Sequence, residues 1–377
     1  MFHSAHAKNT TWQSALQDCL DELDENLDAT IGFVYVTDSI APHLSSILET
    51  LKIKTGIDSW VGSASPGICS IGLSDAQEYF GVPAIAVMTA DLPRTEFEVF
   101  KTIDTINSED RVKPRENKQF ISGTPLILLH ADYANEDVLE IMDDISIRTE
   151  GYLIGGLTLS DTPKHHIAGE VTGGGVSGVI FNSSIGVVTS LSQGCRPIGK
   201  IHEVTECSEN FIIGLDGRSA IDVFQEDIGD ILSRDLQKVG GFIHAALPVT
   251  GSDTGDYVVR NLIGVDINEG VIAIAAPVEH GDGIMFVSRD ANAAQKDLAD
   301  MVVGLKKRAG QNIKGGIYIS CIARGPHMFG EANAEVQIIK SILGDIPIIG
   351  LYANGEISNN QLYSYTGVLT LFIQSNI

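Results

Sequence analysis

Residues 315–358 read "GGIYISCIARGPHMFGEANAEVQIIKSILGDIPIIGLYANGEIS". The apolar run "GGIYISC" gives way to a polar turn. Val336, Ile339 and Leu343 then recur at helical spacing with Ile338 and Ile342 alongside, and "IPIIGLYA" is apolar again. Short runs rich in Val, Ile and aromatics bounded by Gly or Asn read as strands, and a recurrence near 3.6 residues reads as an amphipathic helix. Asn333 or Glu331 stands where that helix should open, and Gly344 where it should close. The order is strand, helix, strand.

The same order occurs twice upstream. "ATIGFVYVTDS" (29–39), "APHLSSILETLKIKTG" (41–56) and "SWVGSASPG" (59–67) form one instance, and "PLILLHADYANEDVLEIMDDISIRTEGYLIGGLTLSD" (125–161) a second. Each is followed by a glycine-bearing strand-like run: "EYFGVPAIAVMTA", "GEVTGGGVSGVIF" or "LYSYTGVLTLF". Residues 216–310 are a variant with more strand and a closing helix, "ANAAQKDLADMVVGLKKR". The expected fold is therefore α/β, with layered mixed β-sheets covered by helices and built from repeated β-α-β-β units. Two intimately packed domains are expected, over 28–215 and 216–377, after an N-terminal acidic helix in 1–27. Ligands in such architectures sit at strand ends and between domains.

The chain has 377 residues, 44% of them hydrophobic, which suffices for a large core. Lys plus Arg number 25 against 49 Asp plus Glu, a formal charge of −24. That field repels phosphate backbones and anionic lipid, so neither nucleic acid nor membrane is an expected partner. Part of it is local: "DCLDELDENLD" reads as the solvated face of an amphipathic helix. No stretch approaches the roughly 20 apolar residues of a spanning helix, and the first residues lack a secretory pattern. A cytoplasmic location is expected. Cys19, Cys69, Cys195, Cys207 and Cys321 are odd in number and lack CxxC spacing, which argues against a disulfide framework or zinc knot.

Several motifs fail on context. "GGGVSG" (173–178) matches the dinucleotide fingerprint, but "VIF" continues as strand where a helix is required, so a hairpin or bulge is expected. "GSASPG" (62–67) misses the spacing of a nucleophile elbow; Ser63 and Ser65 sit either in a tight turn or where exposed N–H groups grip an anion. "HEVTEC" (202–207) lacks a second zinc histidine, and "DINEG" (266–270) has Pro277 where a calcium loop closes with Glu. His165 and His166, as strand neighbours, should point to opposite faces.

"CIARGPHMFG" (321–330) concentrates chemistry at a strand end. Cys321 reads as a buried small hydrophobe or, with His327 as base, a thiolate nucleophile. Arg324 reads as a fixed cation for a ligand carboxylate, or as the partner of Glu331, Glu335 or Glu356. His327, between Pro326, Met328 and Phe329, reads as a helix-entry turn or as a noncovalent haem ligand.

Taken in order, "GSASPGICS", "ENFIIGLDGRSAIDVF", "YVVRNLIGVDINEGVIAIAAPVEHGD", "SCIARGPHMFG" and "IPIIGLYANGEIS…LYSYTGVLTLF" resemble the successive blocks of the FIST family, over about residues 28–373. The resemblance implies a non-enzymatic sensory module for small ligands, amino acids among them. Bacterial members are fused to kinase, methyl-accepting or cyclic-nucleotide output domains. A stand-alone member is expected to act on a separate partner, such as a histidine kinase or a cyclic-dinucleotide enzyme. One subgroup of similar stand-alone proteins binds haem and senses nitric oxide, which makes His327 the first candidate haem ligand and leaves His43, His202, His244 and His280 open. The alternative of a cysteine-dependent hydrolase keeps Cys321 as nucleophile. For a zwitterion, Arg324 and Glu356 form a complementary pair, Asn354 and Thr366 supply orienting hydrogen bonds, and Arg260 is a further cation. Asn354-Gly355 also fits a type I′ hairpin turn.

Overall fold

The structure, a computed structural model, describes residues 1–23, 28–72, 75–113, 123–233, 241–249, 251 and 255–374. It is a mixed α/β protein whose contacts divide it into two compact units. Unit 1 comprises Met1–Ser192, Gln295–Leu362 and Thr366–Ile377; unit 2 comprises Gln193–Ala294 and Tyr363–Tyr365.

Unit 1 holds three six-stranded sheets. The first runs Phe2–Lys8, Ala84–Ala90, Ile31–Thr37, Ser59–Ser65, His166–Ala168, Val171–Thr172. The second runs Phe97–Ile103, Val176–Phe181, Leu126–Asp132, Tyr152–Thr158, Glu356–Ser358, Gln361–Tyr363. The third runs Gly186–Gln193, Thr366–Ile373, Ile313–Cys321, Ile348–Ala353, Gly67–Ile71, Ala76–Phe80. In each, the two middle strands are parallel and the other described pairings antiparallel. Parallel strands need a crossover, supplied here by helices Leu44–Thr55, Val138–Thr149 and Ala334–Leu343. Burial of the middle strands on both faces is why they read as unbroken apolar runs.

One core lies among the three sheets, and each sheet has a separate core under its helices. Phe33, Phe181 and Phe372, one from each sheet, meet in the shared core with ring centroids 5.4–6.5 Å apart. Tilted and edge-on pairs of this kind add about 0.5–1.5 kcal/mol each beyond area burial.

Every described pairing in unit 2 is antiparallel, so the mixed sheets of the sequence reading are confined to unit 1. Its sheet closes on itself, because Ile243–Pro248 pairs with both Tyr257–Asp266 and Gly283–Arg289. Helix Ala220–Ser233 shares the apolar core of that closed sheet.

The N-terminal region differs from a single acidic helix: Phe2–Lys8 is a strand, and the helix spans Trp12–Glu22 with Thr11 capping it. Residues 24–27 of the acidic run lie outside the described residues. "GGGVSG" opens the strand Val176–Phe181 with Gly174 at φ 81° and a register shift between Val176 and Gly178; the bulge reading holds.

Candidate functional site

The strand Ile313–Cys321 ends in a tight corner. Arg324 N–H donates to Cys321 O, Gly325 takes φ 57°, and Pro326–Phe329 make one helical turn closed by Gly330 at φ 75°. A positive φ favours glycine, which suits Gly325 and Gly330 to these places. The corner turns Arg324 inward, where it is fully buried. Its Nε donates to Glu335 Oε1 at 2.8 Å, and the Phe329 ring lies 5.4 Å from its guanidinium carbon.

Glu335 is the partner that helix phase selects among the three acids weighed from sequence. It sits in the first turn of Ala334–Leu343, beside the buried Val336. Besides Arg324, its carboxylate accepts from the hydroxyls of Tyr318 (2.7 Å) and Ser320 (3.0 Å) and from Gly325 N–H (3.2 Å). Glu78 reaches the same helix from another strand. Its Oε1 accepts from the N–H groups of Glu335 and Val336, capping a helix whose own Asn333 makes no side-chain cap. Burial, then repulsion from Glu335, raises Glu78 to about 7.

Glu356 begins the strand Glu356–Ser358. The strand before it, Ile348–Ala353, belongs to a different sheet, so Asn354-Gly355 is a passage between sheets. Only Gly355 has positive φ, at 147°, which excludes the type I′ turn expected there. Glu356 Oε2 accepts from Thr366 N–H (3.1 Å) and Oγ1 (2.8 Å), and the Cys321 thiol also contacts the carboxyl. Among the described residues Oε1 has no hydrogen-bond partner, and neither has Arg324 Nη2. Burial pushes Glu356 up to about 8 despite the Thr366 bonds. The cluster thus sets three buried carboxyl groups, Glu78, Glu335 and Glu356, against one buried guanidinium.

That shift has a sign. A carboxyl whose folded pKa lies above its unfolded value stabilises the fold at low pH, and the contribution is lost as pH rises through the folded value. His130, His166 and His244, all lowered by burial, act oppositely and disfavour acid. The difference between wild type and Glu356→Gln isolates the carboxyl. Wild type should lose stability relative to Glu356→Gln between about pH 5 and about pH 8, read from urea midpoints. A constant difference across that range would refute the assignment.

Of the residues singled out by sequence, Arg324, Glu356 and Thr366 come together in unit 1, with Asn354 two positions from Glu356. Ser63 and Ser65 are buried and their hydroxyls donate to carbonyls, Ser63 to Ala64 and His165 and Ser65 to Tyr352. Arg260 is in unit 2, on Tyr257–Asp266, where Nη1 donates to Val259 O. Cys321 meets the Glu356 carboxyl, while His327 is exposed.

His327 is the first haem-ligand candidate of the sequence reading. Its imidazole is exposed, whereas Met328 and Phe329, the apolar neighbours that suggested such a pocket, are buried. His43 and His280 are also exposed, and His202 is clamped with Nδ1 2.9 Å from Asp216 and Nε2 2.9 Å from Asp227. Among the described residues no three His, Cys, Asp or Glu side chains are grouped to hold a metal ion.

Sequence reasoning missed a second polar group. His165 and His166 converge rather than diverge, with both Nε2 atoms on the Thr158 hydroxyl at 3.0 and 2.6 Å. The alternation rule fails because the strand starts at His166. His130, bonded to Tyr35, lies beside them, and burial lowers it to about 3.

Residues 30–218 match the FIST N domain and residues 220–359 the FIST C domain. The chain belongs to the FIST family. FIST domains are associated with sensory signal transduction, and the family is generally sensory and ligand-binding rather than catalytic. This FIST protein is 36% identical over 197 residues to "Uncharacterized protein Rv0628c" of Mycobacterium tuberculosis (strain ATCC 25618 / H37Rv), covering 49% of this chain and 51% of that protein. It is 34% identical over 236 residues to "Uncharacterized protein Mb0898c" of Mycobacterium bovis, covering 59% of each. The chain therefore spans about half to three-fifths of the length of these curated relatives. Among the described residues no helix is long and apolar enough to cross a membrane.

Proposed function

We propose that this FIST protein is a non-enzymatic sensor of a small amino-acid-like molecule, bound at the Arg324–Glu356 cluster, and that it signals through a separate partner such as a histidine kinase or cyclic-dinucleotide enzyme. One observation carries the reading: Arg324 Nη2 and Glu356 Oε1, a cationic donor and a carboxyl acceptor, are both buried without a hydrogen-bond partner among the described residues. Buried polar groups are ordinarily satisfied. A zwitterion would supply a carboxylate to Nη2 and an ammonium to Oε1.

The segment between Glu356 and Thr366 supports the sensing role. Asn359 and Asn360, at φ 47° and 61°, form the two-residue turn between Glu356–Ser358 and Gln361–Tyr363, whereas Tyr365 holds a left-handed φ of 63° that a bulky residue rarely adopts. Strained backbone of this kind gathers at ligand clamps and switches. Tyr365 belongs to unit 2 and donates to Asn261 Oδ1 at 2.8 Å, whereas Thr366 belongs to unit 1 and holds Glu356. We also read unit 1 as three β-α-β-β copies, the third interrupted by unit 2; on that reading the ligand corner is the third copy's own.

The test is thermal stabilisation by a panel of amino acids. A ligand that binds only the folded state raises stability by RT ln(1 + [L]/Kd), about 2.7 kcal/mol at 100 times Kd. At least one amino acid should shift the transition of wild type and of His327→Ala. The same amino acid should not shift Glu356→Gln or Thr366→Val. A shift that survives in both latter variants would place the ligand elsewhere.

A further inference from the structure

Unit 2 carries a cavity of about 560 Å³ on the outside of its closed sheet. In Phe211–Leu215 and Val271–Ile274, Ile212, Ile272 and Ile274 enter the core, so alternation places Phe211, Ile213 and Val271 on the opposite face. An outer face of an antiparallel sheet is ordinarily polar. Here it is apolar, and Phe211 keeps 45% of its surface exposed. Gly264 lines the same cavity, and a Cβ placed there would meet no atom within 4 Å. A larger side chain at 264 would occupy the space that glycine leaves open.

The charged lining is of one sign. Asp266 and Glu269 contribute carboxylates, and among the described residues neither Lys nor Arg lines the cavity. Asp266 uses Oδ1 to accept from Asn268 and Glu269 N–H groups, which fixes the turn and leaves Oδ2 for another donor. The volume lies within the roughly 300–1,000 Å³ of small-molecule sites, and apolar walls with a few polar groups are their usual lining. A second copy of the chain would bring the same two carboxylates, and a formal charge of −24, against this face.

We propose that this cavity binds a small amphiphilic amine, its apolar body against Phe211, Ile213 and Val271 and its ammonium at Asp266 and Glu269. The proposal is independent of the Arg324–Glu356 reading, because the two sites lie in different units and share no residue.

The experiment is calorimetric titration of the whole chain with tryptamine, with its neutral isostere tryptophol, and with indole-3-propionate. Tryptamine should bind about fivefold more tightly than tryptophol, and indole-3-propionate more weakly than either. Gly264→Val should abolish tryptamine binding while leaving thermal unfolding unchanged. Glu269→Gln should bring tryptamine down toward the affinity of tryptophol without altering tryptophol itself. Glu356→Gln should leave all three unaffected. The proposal fails if tryptamine shows no heat at millimolar concentration, if Gly264→Val binds it normally, or if indole-3-propionate binds equally well. It also fails if light scattering shows a dimer that Gly264→Val dissociates, because the face then meets a second copy.

Discussion

Arg324→Met should lower the unfolding free energy by about 3–5 kcal/mol, the range for removing one partner of a buried ion pair. Arg324 and Glu335 are both fully excluded from solvent. The carboxylate keeps its bonds from Tyr318, Ser320 and Gly325 but loses its counter-charge, with Glu78 close enough to repel it. The variant Arg324→Met/Glu335→Gln should recover much of the loss, since Gln carries no charge and its single amide oxygen still accepts from Tyr318 and Ser320. Urea unfolding of wild type, both single variants and the double variant closes the cycle. If the double variant were as unstable as Arg324→Met alone, the loss would lie in the packing of Arg324 against Phe329, and the ion pair would not be its source.

Glu335 also marks how far the sequence could be read. The helix at 334–343 was legible with its end at Gly344, because Val336, Ile339 and Leu343 share one face. Which acid would meet Arg324 was not, because Glu331, Glu335 and Glu356 are all within reach of a strand-end turn until the helix phase is fixed. Strands buried on both faces announced themselves as apolar runs, and three such pairs are parallel. The exchange of hairpins between sheets left no such trace. Glu356–Ser358 follows Ile348–Ala353 in the chain yet pairs with Tyr152–Thr158 of another sheet, and only geometry chooses that neighbour. In unit 2 the strands "YVVRNLIGVD" and "GIMFVSRD" were visible individually, whereas closure through Ile243–Pro248 depends on twist and register that alternation does not encode. Glu78 was missed for a related reason: it caps a helix more than 250 residues away along the chain.

One periodic signal was present in the quoted strings and bears on the second large effect. "SWVGSAS", "YLIGGLT" and "IIGLYA" each place a glycine on the second strand of a parallel pair. Those glycines, Gly62, Gly155 and Gly350, stand opposite Val34, Leu129 and Tyr318. A Cβ on them would come within 1.7, 2.0 and 1.8 Å of the carbonyl oxygens of those three residues. Backbone in the middle of a sheet cannot rotate away as a side chain does, so the parallel strands must part to admit even a methyl group. Overpacking of a core costs about 1–3 kcal/mol where side chains can adjust. With ladder hydrogen bonds strained as well, Gly350→Ala should cost about 3 kcal/mol or more, and Gly62→Ala a similar amount. Gly264→Val, which adds more atoms at an open position, is the control and should be nearly neutral. Urea midpoints for the three variants decide the matter. If Gly350→Ala and Gly264→Val were equally mild, close approach of the parallel strands would not be what holds glycine at these places, and the shared position would need another cause.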